Sequence, residues 1–261
     1  MPVPVFRFGP SPNGRLHLGH AYSALLNQRM AHDEGGRLLL RIEDTDATRC
    51  KPEFTAAIYE DLAWLGLTWE EPVRIQSQHF AAYDENLQKL WAMRVIYPCF
   101  CSRKEATAHA LLSTDPDGQP HYGGSCRTFP REIAMSRINS GDVHGWRINM
   151  RACNDLAADM WGDTVIAKRH VGSSYHIAVV TDDAVQGVTH AVRGRDIEPA
   201  TPLHILLQRL LGLPTPRYTH HEQISDDGGA KLSKSRNSQP LASLRESGVT
   251  AVAIRKRLGF G

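Results

Sequence analysis

The loop Gly9-Pro-Ser-Pro-Asn-Gly14-Arg-Leu-His17-Leu-Gly19-His20 joins an apolar run to a helical pattern and sets two imidazoles around one glycine. A glycine-rich turn between a strand and a helix lets backbone amides approach a phosphate, and the helix N-terminus favours its negative charge. The loop is no dinucleotide fingerprint, because GxGxxG is absent. It is no P-loop either: Gly14 and Gly19 have Walker spacing, but His20-Ala21 replaces the Lys-Ser/Thr pair. His17 and His20 can instead donate hydrogen bonds to ATP phosphates as charge builds during attack on the α-phosphate, with Gly19 permitting close approach. A second run, Lys231-Leu-Ser-Lys234-Ser235 behind Asp226-Asp-Gly-Gly229, puts two ammonium groups on a polar loop. Such point charges suit a departing pyrophosphate, although a Lys-x-x-Lys run alone is more often a solvated face.

Cysteines stand at 50, 99, 101, 126 and 153. Cys99, Cys101 and Cys126 share one short segment, and thiolates at such spacings hold structural zinc, which takes four ligands. On chemistry alone His121 and His109 are better fourth ligands than the phenol of Tyr122. The alternative to a metal site is three buried free thiols. Cys50 and Cys153 read as ordinary core or surface residues. An odd number of cysteines in a chain without a secretory segment does not suggest a disulfide framework.

The elements that must position these groups follow from periodicity. Val3 to Phe8 reads as a short strand and His20 to His32 as a helix, through Ala21, Ala24, Leu25 and Met30, stopped by Gly35 and Gly36. Leu38 to Ile42 is nearly all apolar, as a strand covered on both faces is. Pro52 suits a helix start, and Phe54 to Leu65 continues to Gly66. Ala81 to Val95 is a further helix. From Tyr97 to about Val171 the pattern breaks, with a turn-rich run at Asp115 to Pro120 and one strand, Trp146 to Met150. Tyr175 to Thr181 and Val188 to Val192 read as resumed buried strands, and Pro202 to Leu211 as a short helix ending at Gly212. A polar loop, Ser225 to Gln239, and a basic helical tail complete the chain. The expected division is 1–96 and 172–224 as two halves of one domain, 97–171 as an inserted lobe, and 225–261 as signature loop and tail.

The chain has 261 residues, 41% hydrophobic and 22% charged, which excludes wholesale disorder, collagen and coiled coil. No apolar run reaches the ~18 residues of a membrane span, and Met-Pro-Val-Pro-Val-Phe-Arg has no apolar signal region, so a cytoplasmic protein is expected. The net charge of +2 does not announce a nucleic-acid binder. Its distribution is more telling: Arg193 to Gly261 carries 11 basic and six acidic residues, a quarter of the chain that suits polyphosphate or nucleic acid.

Taken together, the two signatures resemble those of class I aminoacyl-tRNA synthetases. Arg7-Phe-Gly-Pro-Ser11, Leu40-Arg-Ile-Glu43-Asp-Thr-Asp46 and Gly187-Val-Thr-His-Ala-Val-Arg193-Gly-Arg-Asp196 are most similar to the glutamyl and glutaminyl branch, over nearly the whole chain. With only ~25 residues after the second signature, the chain resembles a short glutamyl-Q family within that branch, which attaches glutamate to queuosine in tRNA(Asp). The resemblance implies an α/β, Rossmann-like core with an inserted acceptor-binding, zinc-bearing lobe and a short helical tail, without an anticodon-binding domain.

The same resemblance implies ATP with magnesium, L-glutamate and the queuosine-bearing anticodon loop of tRNA(Asp) as partners of a monomer. It implies catalytic roles for His17, His20, Lys231 and Lys234, ATP binding by His17, Gly19, His20 and Lys234, and a glutamate pocket of Arg7, Phe8, Gly9, Pro10, Ser11, Glu43, Tyr175 and Arg193. A carboxylate such as Glu43 can hold an ammonium and an arginine can fork a carboxylate, while the fixed charge of Arg193 favours glutamate over glutamine. Tyr122-Gly-Gly-Ser-Cys126 is similar to the Tyr-x-x-x-Cys of the glutamyl-Q family, which implies zinc held by Cys99, Cys101, Tyr122 and Cys126. Three alternatives stay open: a glutamyl-tRNA synthetase core acting on a tRNA 3′ end, a small-molecule nucleotidylyltransferase, and a non-catalytic RNA-binding module.

Overall fold

Strand β1 (Val5–Phe8) runs into helix α1 (Leu18–Asp33) and back into β2 (Arg37–Ile42). There follow α2 (Pro52–Trp64), β3 (Glu70–Ile75), α3 (Phe80–Ala92), β4 (Ile96–Cys99), α4 (Arg103–Ala108), α5 (Arg131–Asn139), β5 (Gly145–Ile148), α6 (Met150–Cys153) and β6 (Val165–Ala167). The chain closes with α7 (Tyr175–Val185), β7 (His190–Gly194), α8 (Thr201–Leu211), β8 (Arg217–His221), α9 (Leu241–Glu246) and α10 (Ala251–Arg257). This computed structural model describes residues 2–108, 110–224 and 239–261; His109, Lys231, Lys234 and Ser235 therefore lie outside the described residues. Among the described residues no helix is long and apolar enough to cross a membrane.

Contacts divide the chain into two units, the first made of Met1–Gln78, Val185–Glu198 and Pro216–Gly261. Its five strands pair in the order β3-β2-β1-β7-β8, every pairing parallel. Side chains alternate across a strand, and the packing tells which face is which. Phe6 packs with Ala31 of α1 and Val192, and Phe8, Leu40 and Ile42 join Ala21, Leu25, Ile58 and Leu62 in the main core. Those residues define the face under α1 and α2. Val5, Leu39 and Val188 cluster apart from them, on the opposite face. The expected basic tail forms α9 and α10, whose Leu241, Leu244 and Ile254, with Leu258 just after α10, enter the same main core.

The second unit comprises His79–Ala184 and Pro199–Thr215. A three-stranded antiparallel sheet, β4-β5-β6, lies within it. Tyr175 to Thr181, expected as a strand, is instead the start of α7. The run is apolar and rich in β-branched residues, so composition favours a strand, and a short apolar run cannot separate a buried strand from a buried helix. Every residue from Ile177 to Asp183 is buried. The helix is held by side chains of α3, with Tyr83 Oη donating to Asp182 at 2.9 Å and Asn86 Nδ2 to Thr181 Oγ1 at 2.9 Å.

Candidate active site

His17 is the N-cap of α1. Its Nδ1 accepts from the Gly19 amide at 3.1 Å, while its own amide donates to Nδ1 of His20 at 3.2 Å. A ring nitrogen that accepts from an amide bears no proton, so in each neutral imidazole the proton resides on Nε2. The reciprocal cap therefore turns both histidines into Nε2–H donors, with ring centroids 3.9 Å apart. They stand at a helix N-terminus whose first turn has no acidic residue, a place that draws anions. A methyl at Gly19 would sit 3.0 Å from His17 Cε1, so glycine there lets the His17 ring lie over the turn. The first residues after the second signature return to this turn: Leu241 donates its amide to Leu16 at 2.9 Å, and Pro240 bridges His17.

On the sheet, the alternation set by Phe6, Phe8 and Leu40 turns Arg7 and Arg41 away from α1. The register Phe6↔His190 does the same for Arg193, one residue out of phase with Val192. Arg7, Arg41 and Arg193 are all buried. Glu43, two residues beyond Arg41, accepts from Arg41 Nε and Nη2 at 3.3 and 3.1 Å. Its amide donates to Pro10 at 3.0 Å, tying the loop after β1 to the end of β2. Gly9 packs on the Glu43 carboxylate: a Cβ there would meet Oε1 at 2.5 Å. Ser11 Oγ lies 3.7 Å from Cys50 Sγ. Arg193 stands over the Tyr218 ring at 4.8 Å and donates Nε to His220 at 3.5 Å. Burial, and next the Arg193 guanidinium, hold His220 below the ordinary imidazole value, which keeps it an acceptor.

The first unit thus brings together Arg7, Gly9, Pro10, Ser11, Glu43 and Arg193, with His17, Gly19 and His20 at the start of α1, whereas the Phe8 side chain lies on the opposite face, in the core under α1 and α2. Tyr175 opens α7 in the second unit, where its ring meets those of His176 and His204 at 5.7 and 5.4 Å. Arg41, Tyr218 and His220 were not singled out from the sequence. Arg41 had a signal, since two residues on one strand put it on the face of Glu43. Tyr218 and His220 required β8 to be recognised.

In the second unit the sulfurs of Cys99, Cys101 and Cys126 lie within 4.8 Å of one another. Zinc–sulfur bonds of about 2.3 Å in a tetrahedron separate sulfurs by roughly 3.8 Å, and Cys101 and Cys126 stand at 3.5 Å. Tyr122 Oη lies 3.2 Å from Cys101 Sγ and accepts from the Cys126 amide at 3.0 Å. Hydrogen bonding from Cys99 and then Tyr122 brings the Cys126 thiol down to about 6, while its bond to Cys126 and burial push Cys99 up to about 12. Arg147, over the Tyr122 ring at 4.1 Å, adds positive charge. His121 is engaged elsewhere, its ring nitrogens 3.0 Å from Ser113 Oγ and 2.9 Å from the Met160 carbonyl. The three sulfurs and their spacing fit zinc, and the Tyr122 oxygen lies beside them.

Comparison with known proteins supplies the family. The model of the catalytic domain of class I tRNA synthetases (E and Q) matches residues 4–259. The chain is 42% identical to a glutamyl-Q tRNA(Asp) synthetase of Rhodobacter capsulatus, over 98% of this chain and 100% of that one. It is 36% identical to glutamate–tRNA ligase 2 of Nitrosococcus oceani, over 95% of this chain and 57% of that one. A crystal structure of a glutamate tRNA ligase from Elizabethkingia meningosepticum, in complex with its amino acid, superposes with a TM-score of 0.76 at 27% identity, covering 90% of this chain and 52% of that one. The chain spans all of the Rhodobacter relative and about half of the two glutamate ligases. With a parallel sheet, a histidine-capped loop after its first strand and a family match over nearly its whole length, the chain belongs to the class I tRNA synthetases of the glutamate and glutamine branch.

Proposed function

We propose that this chain activates L-glutamate with ATP, without any tRNA, and transfers the glutamyl group to queuosine in the anticodon loop of tRNA(Asp). The observation that carries the reading is the single sheet face bearing Arg7 and Arg193, with Glu43 held by Arg41 just past the end of β2, one loop away from His17 and His20. Two guanidiniums answer a ligand with two carboxylates, and one carboxylate answers its ammonium. Identity over the full length of the Rhodobacter glutamyl-Q tRNA(Asp) synthetase supports the acceptor.

In the first step an oxygen of the glutamate α-carboxylate attacks the α-phosphorus and the bond to pyrophosphate breaks. The Nε2–H groups of His17 and His20 donate to phosphate oxygens as charge develops there. Lys231 and Lys234 take the departing pyrophosphate. Magnesium bound with the ATP would neutralise phosphate charge. The family resemblance extends glutamate recognition to Tyr175. In the second step a hydroxyl of the queuosine ring attacks the glutamyl carbonyl and AMP leaves. The 97–171 segment is the acceptor-binding lobe, and Cys99, Cys101, Tyr122 and Cys126 hold one zinc that braces it without touching substrate. The basic stretch Arg255-Lys256-Arg257 contacts RNA phosphates, which position without reading sequence.

A second reading, transfer to a tRNA 3′ end, is favoured by the identity to the Nitrosococcus ligase. Labelled glutamate offered with tRNA(Asp) separates the two. Label on queuosine-containing tRNA(Asp) alone, absent from unmodified tRNA(Asp) and from tRNA(Glu), is the expected result. Label on tRNA lacking queuosine overturns it in favour of the 3′ end.

A further inference from the structure

Arg41 is wholly buried on β2, where the neighbouring position on the same face, Leu39, is an ordinary apolar residue. A buried guanidinium is costly to desolvate, and a well-packed apolar residue is often as stable in its place. Its hydrogen bonds show what the charge is for. Nε and Nη2 both donate to Oε1 of Glu43, at 3.3 and 3.1 Å, and Nη1 donates to Oε1 of Gln186 at 3.1 Å. Gln186 lies in the segment leading into β7, so Arg41 is tied to the far side of β1 while it holds a residue beyond the end of its own strand. Gly9 closes on the same Glu43 oxygen.

We infer that Arg41 is a positioning residue, which with Gln186 holds the Glu43 carboxylate aimed at the α-ammonium of the amino-acid substrate. The inference rests on the ammonium-binding role of Glu43 proposed above. Glu43 stands past the regular strand, with three side-chain torsions to settle. A carboxylate gripped on one oxygen by two donors of a planar fork has its direction set before substrate arrives, and this preorganisation lowers the cost of binding. A lysine in its place keeps the charge but not the fork.

The test compares glutamate with glutarate, which lacks only the ammonium, by equilibrium binding to the full chain, alongside the KM for ATP in pyrophosphate exchange. Arg41→Lys should weaken glutamate about tenfold, the scale of one charge-assisted hydrogen bond, with glutarate and the KM for ATP unchanged. A loss shared equally by glutamate, glutarate and ATP means a merely structural role and overturns the inference. Glu43→Gln is the control. If it leaves the glutamate-to-glutarate ratio unchanged, the ammonium role of Glu43 fails. If it collapses the ratio while Arg41→Lys preserves it, only the Arg41 inference fails. Should Arg41→Lys not fold, Gln186→Leu is read by the same ratio, and an unchanged ratio there refutes the inference.

Discussion

Gly9→Ala is the sharpest probe of the amino-acid site. Gly9 is not among the positive-φ glycines, so alanine meets no backbone strain and the substitution reports close approach alone. The added methyl would lie 2.5 Å from Glu43 Oε1 and 3.0 Å from Cδ, where ordinary contact begins at 3.4 Å. The carboxylate must therefore retreat by about 0.9 Å, and the Arg41 bonds at 3.1 and 3.3 Å resist that movement or break with it. Misplacing one charged hydrogen-bond partner costs about 1.5–3 kcal/mol, which is roughly 10- to 150-fold in affinity. The expected outcome is a glutamate KM raised by that factor in pyrophosphate exchange, with the KM for ATP unchanged, because His17 and His20 are held by their own capping bonds. A Gly9→Ala enzyme with wild-type glutamate KM would refute the placement of Glu43 in the pocket. A rise in both KM values would show that the whole loop had moved.

Other substitutions read other parts of the molecule. His17→Asn preserves an N-cap acceptor for α1 but removes an Nε2 donor, so thermal stability should hold while kcat of activation falls on the order of 10²-fold; equal kcat would remove His17 from the chemistry. Elemental analysis should find about one zinc per chain. Tyr122→Phe should lower occupancy and His121→Ala should not, and the reverse pattern would transfer the fourth ligand to His121. Asp61 is fully buried, ion-paired with Arg245 at 3.5 Å, and burial raises its carboxyl from 3.8 to about 6. A folded-state value above the unfolded one gives stability that is present below pH 4 and lost as pH rises through 6. Asp61→Asn should therefore stabilise the protein at pH 7, by up to about 3 kcal/mol, with the gain vanishing near pH 4 in denaturant titrations. A constant gain at all pH values would separate it from ionisation.

Local chemistry was legible in the chain itself. The sheet's first crossover followed from apolar runs punctuated by Gly35, Gly36, Pro52 and Gly66, because such residues act on their own backbone and need no distant partner. The histidine turn followed from type and spacing for the same reason. Longer-range questions were not decided there. Tyr175 to Val185 is a helix because α3 supplies partners for Thr181 and Asp182, and the segment's β-branched composition contains no trace of them. His121 and Tyr122 are adjacent, five and four residues before Cys126, and only the folded segment turns the phenol toward Cys101 while occupying both nitrogens of the imidazole. Arg41 reads in sequence as one more strand residue. Its role emerges when β2 and the approach to β7 lie on either side of β1 and a buried charge must find its partners. Short-range preferences settle which elements form. Which side chains share a site depends on pairings between segments as much as 184 residues apart, and those are determined by packing the whole sheet at once.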